Sequence, residues 1–291
     1  MILNAIHWNV DPVIFSIGSF GVRWYSLMFL ISFTLGYYII ARMFKRESVN
    51  EDYLGSLLIY IFVAILIGAR LGHCLFYEPD YFLTAEHWEE IILPFNMKTH
   101  QYTGYQGLAS HGAAIGILVA LWLYWKKYRM NPWWILDRLV IVVALGGAFV
   151  RLGNLFNSEI YGVETSLPWG FIYERNGETV PKHPTQLYES LGYFLIFGAS
   201  LWYYLRTNAQ FRTGTIFGWW LVALFGLRLL VEFVKNDQVD FEAGMVLNMG
   251  QLLSLPFIVG GLVIAWLAHN KKLPQGPFPQ GEKTINNKKN K

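Results

Sequence analysis

The chain is short of charge. Asp, Glu, Lys and Arg make up 15% of its 291 residues, where a soluble domain carries about a quarter. A single cysteine, Cys74, excludes an internal disulfide framework and any cysteine-built metal site. The net charge of +3 is small and no basic patch is interleaved with aromatics, so no nucleic-acid partner is expected. Phosphate-cradling glycine loops, a G-x-S-x-G elbow and His/Asp/Glu groupings with metal-ligand spacing are all missing. Neither a metal nor an organic cofactor is therefore expected. Lys and Arg are absent from the first eighteen residues, and with them the basic region of a cleavable signal peptide. No internal repeat is visible, which weighs against the two-fold architecture common in secondary transporters.

What the chain has in abundance is apolar and aromatic. Hydrophobic residues reach 54%, aromatic residues 17%, and the mean hydropathy is +0.32. Twelve tryptophans and seventeen tyrosines suit the interfacial belts of a polytopic membrane protein. Seven runs are long enough for a bilayer, for which about 20 apolar residues are needed: 20–43, 54–76, 108–125, 134–156, 187–205, 215–233 and 249–269. The expected fold is an all-α integral membrane protein of seven transmembrane helices. Residues 1–270 are expected to form the seven-helix membrane domain and 271–291 a lysine-rich, disordered tail.

Basic residues divide unevenly between the connections. Arg42, Lys45 and Arg46 follow the first run, Lys126, Lys127 and Arg129 the third, Arg206 and Arg212 the fifth, and six lysines the seventh. The alternate connections hold only Lys98, Arg175, Lys182 and Lys235, so the ratio is fourteen to four. By the positive-inside rule the N-terminus lies outside and the C-terminus in the cytoplasm.

That orientation gathers the polar side chains of the helices into the outer layer. Tyr25, His111, Arg151, Asn154, Asn157, Gln186, Glu189, Arg228, Glu232 and Gln251 all fall near outer helix ends. The inner halves hold mainly Asp137 and Arg138, for which an interfacial cap or snorkelling is reason enough. Snorkelling also serves for Arg23 and Arg70, and His73 and His183 read as structural. An arginine below the headgroups costs at least a few kcal/mol on insertion scales and usually has a partner or a task. Arg151 and Arg228 share a depth and make a candidate phosphate site, because the guanidinium fork binds phosphate oxygens bidentately. Arg228 and Glu232, four residues apart, also suit an intrahelical ion pair. Glycines 146, 147 and 153 allow close helix approach around Arg151. His111, among small residues and expected to face the bundle, is the candidate general base. Three readings remain open on this evidence: a phospholipid-dependent transferase, a transferase with another acceptor, and a lipid or solute transporter.

The ordered motifs choose among them. Gly146 to Gly162, ending Arg151-Leu152-Gly153-Asn154-Leu155-Phe156-Asn157-Ser158-Glu159-Ile160-Tyr161-Gly162, resembles the signature of bacterial phosphatidylglycerol–prolipoprotein diacylglyceryl transferases. Arg23-Trp24-Tyr25-Ser26, Gly68-Ala69-Arg70-Leu71-Gly72, Ser110-His111-Gly112, His183-Pro184-Thr185-Gln186-Leu187-Tyr188-Glu189, Arg228-Leu229-Leu230-Val231-Glu232 and Met249-Gly250-Gln251 match in family order. Two departures stand out: Ala113 where the family often has a second glycine, and Lys235 where it often has arginine, which leaves Lys235 an auxiliary role.

The resemblance implies an inner-membrane enzyme working at the periplasmic face. It would move the diacylglyceryl group of phosphatidylglycerol to the lipobox cysteine of a prolipoprotein and release glycerol 1-phosphate. His111 would be the base, and Arg151 and Arg228 would hold the phosphate. Tyr25, Asn154, Asn157, Glu159, Glu232 and Gln251 would orient the headgroup or the arginines. The implied partners are phosphatidylglycerol, signal peptides with a lipobox cysteine, and the surrounding inner-membrane lipid.

Overall fold

The computed structural model describes residues 5–18, 20–84, 87–91, 93, 95–96, 101–102, 109–236 and 247–278. All seven apolar runs are helical. They form α1 (Trp24–Arg46), α2 (Glu51–Phe76), α4 (Ser110–Tyr128), α5 (Pro132–Phe156), α6 (Thr185–Arg206), α7 (Thr215–Glu232) and α8 (Met249–His269), with a short α3 (Pro79–Phe82) between α2 and α4. α1, α2, α5, α7 and α8 are long and apolar enough to cross a membrane. The chain is thus a multi-pass membrane protein. The first helix starts later than expected because residues 20–23 are extended: β2 (Val13–Ile17) and β3 (Phe20–Arg23) form an antiparallel hairpin that leads into it.

The described chain forms two compact units, one of residues 1–47 and 133–276, the other of 48–132 and 277–291. In the first unit, Met43, Val140, Ile141, Ala144, Tyr204, Ile216, Trp220 and Leu221 form one buried apolar cluster. At the opposite end of α5, β1 (Ile6–Trp8) pairs in parallel with β6 (Phe171–Tyr173). Trp8 rests on Phe156 and Phe171, with centroids 5.9 and 5.4 Å away, and its indole N–H donates to the Leu155 carbonyl at 3.0 Å. This small platform fixes the helix end that bears Arg151 and Asn154.

Asp137 and Arg138 correct the snorkelling expectation, for both are buried. The Asp137 carboxylate accepts from the backbone N–H of Gly214 at 2.6 Å and of Phe217 at 2.9 Å, so it caps α7 from a neighbouring helix. Arg138 Nε donates to Glu47 at 2.9 Å. Glu47 also accepts from Trp134 Nε1 and the Tyr204 hydroxyl. A charge taken from water is tolerated only when paired and hydrogen-bonded in this way.

In the second unit α2 and α4 lie backbone to backbone. A Cβ on Gly112 would collide with the Gly68 carbonyl, so the crossing needs small residues as membrane helices without a hydrophobic driving force do. Arg70 is buried rather than snorkelling; it donates to the carbonyls of Glu90 and Ile91 and covers the Phe82 ring, holding the segment after α3 against α2. At the start of the expected tail, Asn131 N–H donates to the Pro277 carbonyl at 2.8 Å, and Phe278 stands against Tyr53. From residue 279 onward the tail lies outside the described residues.

Candidate active site

The polar cluster of the first unit is built on the end of α5, the first two turns of α6 and the end of α7. Arg151 Nε lies 2.7 Å from Glu189 Oε2, and Glu189 is fully buried. The contact is ionic rather than a well-aligned hydrogen bond, since the same oxygen has no hydrogen-bond partner. The other Glu189 oxygen accepts from Lys235 Nζ at 3.0 Å. Lys235, expected to be auxiliary, is therefore buried at the centre, where it also meets Glu232 Oε2 at 3.6 Å.

Glu232 therefore pairs with a lysine three residues on, and the i,i+4 pair with Arg228 does not form. Among the described residues Arg228 has no carboxylate partner, and its buried Nε has no hydrogen-bond partner. Tyr193 stands within electrostatic range of Glu189, Arg151 and Arg228, and ties the two arginines to one locality. The Arg151 side chain keeps 18% of its surface exposed. One edge of its guanidinium is thus held while the group stays reachable.

A second network fixes the chain after α5. Arg151 Nη1 donates to Asn154 Oδ1 at 3.3 Å. Asn154 and Asn157 side-chain amides then donate to Glu159 Oε1, at 2.7 and 3.1 Å. Glu159 sits between two residues in left-handed conformation, Ser158 with φ 55° and Ile160 with φ 60°. For a β-branched residue that region is strained, and three side chains hold it. Asn176 Nδ2 donates to the Ser158 carbonyl at 2.6 Å, Gln186 Nε2 to that of Glu159 at 2.6 Å, and Thr185 Oγ1 to that of Ile160 at 2.8 Å. Gln186 is itself fixed by the Tyr173 hydroxyl at 3.0 Å, whose pKa is raised by burial.

Tyr25, in the first turn of α1, lies within electrostatic range of Glu159 and Arg151. A Cβ at Gly153 would lie 2.7 Å from the Tyr25 ring, so of the three glycines near Arg151 this one is required for the approach. Gln251 closes a capping box with Asn248 at the start of α8, so part of its side chain serves the helix terminus. His183 Nδ1 is 3.1 Å from the Tyr188 hydroxyl, and burial lowers its pKa. Its structural reading fits those contacts.

His111 belongs to the second unit. Its imidazole is exposed, and it is Gly112 that meets α2. Neighbouring residues on a helix point about 100° apart, so the small-residue face and the histidine diverge. Composition could not have singled out Glu189 and Lys235. The signals were the place of Glu189 in the outer polar layer and in the His183–Glu189 motif, and a lysine at 235 where the family often has arginine.

Residues 12–267 match the prolipoprotein diacylglyceryl transferase family. The chain belongs to this family. It is 40% identical to the phosphatidylglycerol–prolipoprotein diacylglyceryl transferase of Bacteroides fragilis, across 93% of this chain and 98% of that relative. The same-named protein of Tolumonas auensis is also 40% identical, across 92% of this chain and 99% of its own. That of Chloroherpeton thalassium is 40% identical, across 90% and 93%. A membership that spans nearly the whole chain makes this membrane protein a transferase of lipoprotein biosynthesis, and the Arg151–Glu189–Lys235 cluster lies inside the matched span.

Proposed function

We propose that the protein transfers the diacylglyceryl group of phosphatidylglycerol to the lipobox cysteine of prolipoproteins and releases glycerol 1-phosphate. The residues 1–270 form one catalytic domain with seven spans, the N-terminus is periplasmic, and the reaction takes place at the outer face of the bacterial inner membrane. The observation that carries this reading is an Arg228 without a carboxylate partner among the described residues, in reach of the same Tyr193 as an Arg151 already oriented by Glu189. The fourteen-to-four division of basic residues supports the orientation.

The substrate thiol loses its proton to His111, because the thiolate is the nucleophile. Its sulfur attacks the glyceryl carbon bearing the phosphate ester, the C–S bond forms as the C–O bond breaks, and the electron pair leaves on the phosphate monoester. Arg151 and Arg228 bind the phosphate and stabilise the charge that grows on its leaving oxygen. Asn154, Asn157 and Glu159 keep Arg151 aimed, Tyr25 borders the headgroup, and Glu232 and Gln251 hold the cluster from the α7 and α8 side.

The test is to incubate the purified protein with phosphatidylglycerol micelles and a synthetic lipobox peptide, and to weigh the peptide. One diacylglyceryl mass gained on the cysteine, and none with a Cys→Ser peptide, is the expected result. No gain from folded protein would overturn the proposal in favour of lipid binding or transport.

A further inference from the structure

At the other end of the first unit is a cavity that the transfer reaction does not use. It has a volume of about 350 Å³ and lies between the C-terminal ends of α1 and α6. Met43, Leu201 and Leu205 give it apolar walls, Tyr204 closes it, and Arg42 and Arg46 stand at its rim. We propose that this cavity binds an anionic phospholipid, with the phosphate between Arg42 and Arg46 and a stretch of acyl chain in the slot.

The charge at the rim is uncompensated. Arg42 contacts the Tyr38 hydroxyl and lies over its ring at 4.6 Å, and Arg46 Nε donates to the neutral Asn208 Oδ1 at 3.1 Å. Among the described residues neither arginine has a carboxylate partner. The carboxylate nearest in sequence, Glu47, is already taken by Arg138, Trp134 and Tyr204. Snorkelling alone would send both side chains outward into water. Here each is folded back on a partner at the mouth of the slot. Asn208 and Ala209 both adopt left-handed φ, 53° and 60°, in the turn that brings Asn208 to Arg46. The ammonium of a zwitterionic headgroup would meet two like charges, whereas an anionic lipid brings its phosphate to both forks with no cation attached. The larger α2–α4 groove, about 640 Å³, has an apolar lining without a charged residue and offers no such selection. In the orientation proposed above the site faces the cytoplasmic leaflet, where anionic lipid draws basic residues.

The test uses the full chain in neutral detergent, with phosphatidic acid as the probe and phosphatidylethanolamine as the zwitterionic comparison, and counts retained lipid by native mass spectrometry. R228K is run alongside, so that lipid held by the outer arginines is counted separately. R42Q/R46Q is expected to weaken phosphatidic acid retention about thirtyfold, or about 2 kcal/mol. Its rate of transfer to the peptide should match the parent. L205W fills the slot with both arginines in place and should weaken retention too. Equal retention by R42Q/R46Q and the parent would overturn the proposal. So would equal loss of phosphatidylethanolamine, which would indicate an apolar slot only, or displacement by millimolar inorganic phosphate, which would indicate a free-anion site. An inactive protein that still shows the retention difference would sink the transferase proposal and leave this one standing.

Discussion

Glu189 Oε2 lies 2.7 Å from Arg151 Nε with the glutamate fully out of solvent, and its second oxygen is 3.0 Å from Lys235 Nζ. One buried carboxylate therefore serves two cations from different segments. The first prediction concerns its loss. Glu189→Gln keeps the shape and removes the charge, leaving Arg151 without a carboxylate partner among the described residues and Lys235 with Glu232 alone. Removing one partner of a buried pair costs about 3–5 kcal/mol, so thermal unfolding should begin at a clearly lower temperature. Transfer by the folded fraction should drop at least about tenfold, as Arg151 loses its aim. Unaltered transfer would mean that Asn154 alone orients Arg151.

Arg228→Lys keeps the charge and loses the fork. Because Glu232 is engaged with Lys235, the new lysine has no waiting carboxylate to neutralise it. Transfer should fall by about 10²-fold, the scale of losing one preorganised charge-stabilising donor. Full activity in the peptide mass assay would show that a point charge suffices.

His111→Gln should insert and fold like the parent, since the imidazole is exposed and helix packing rests on Gly112. Its transfer to the lipobox peptide should be abolished. Near-normal product would remove His111 from the role of base.

Gln186→Leu strips both a donor from the Glu159 carbonyl and an acceptor from the Tyr173 hydroxyl. Two buried polar groups lose their partner at about 1–3 kcal/mol each. The chemical denaturation midpoint should fall accordingly, and transfer should fall with it as the strained turn relaxes. A midpoint within error of the parent would show that water replaces the glutamine amide.

Asp137→Ala exposes the first N–H groups of α7 to an apolar interior. The unfolding temperature should drop, on the scale of about 1–2 kcal/mol for a lost cap, while transfer per folded molecule stays constant. A rate loss without a stability loss would contradict the purely structural role.

The seven helices could be read from the sequence because each is a run of apolar residues of bilayer length, a signal that survives without tertiary context. α4 and α6 stand apart from the five most apolar helices. α6 gives up apolar positions to Gln186, Glu189 and Ser190, and α4 ends in Lys126 and Lys127. The candidate site residues could be picked out of the sequence, but their pairing could not. Glu232 had Arg228 at i−4 and Lys235 at i+3, either of which suits a helix surface. The choice was made by Glu189 of another helix, which draws the lysine inward. Asp137 and Arg138 looked like interface residues because depth along a helix says nothing of what packs beside it. The three-residue strands β1 and β6 carry too little periodicity to be recognised, and their pairing spans most of the chain.

Three successive carbonyls, of Ser158, Glu159 and Ile160, are each satisfied by a side chain from elsewhere, namely Asn176, Gln186 and Thr185. The turn that aims Glu159 is therefore not a self-contained cassette. A chimera that imports residues 157–162 from a relative, but keeps a foreign segment from 176 to 189, would receive the bend without the hands that hold it. Recombination points that preserve function should fall outside 151–190. Within that stretch, exchange should succeed only when the whole stretch is inherited together.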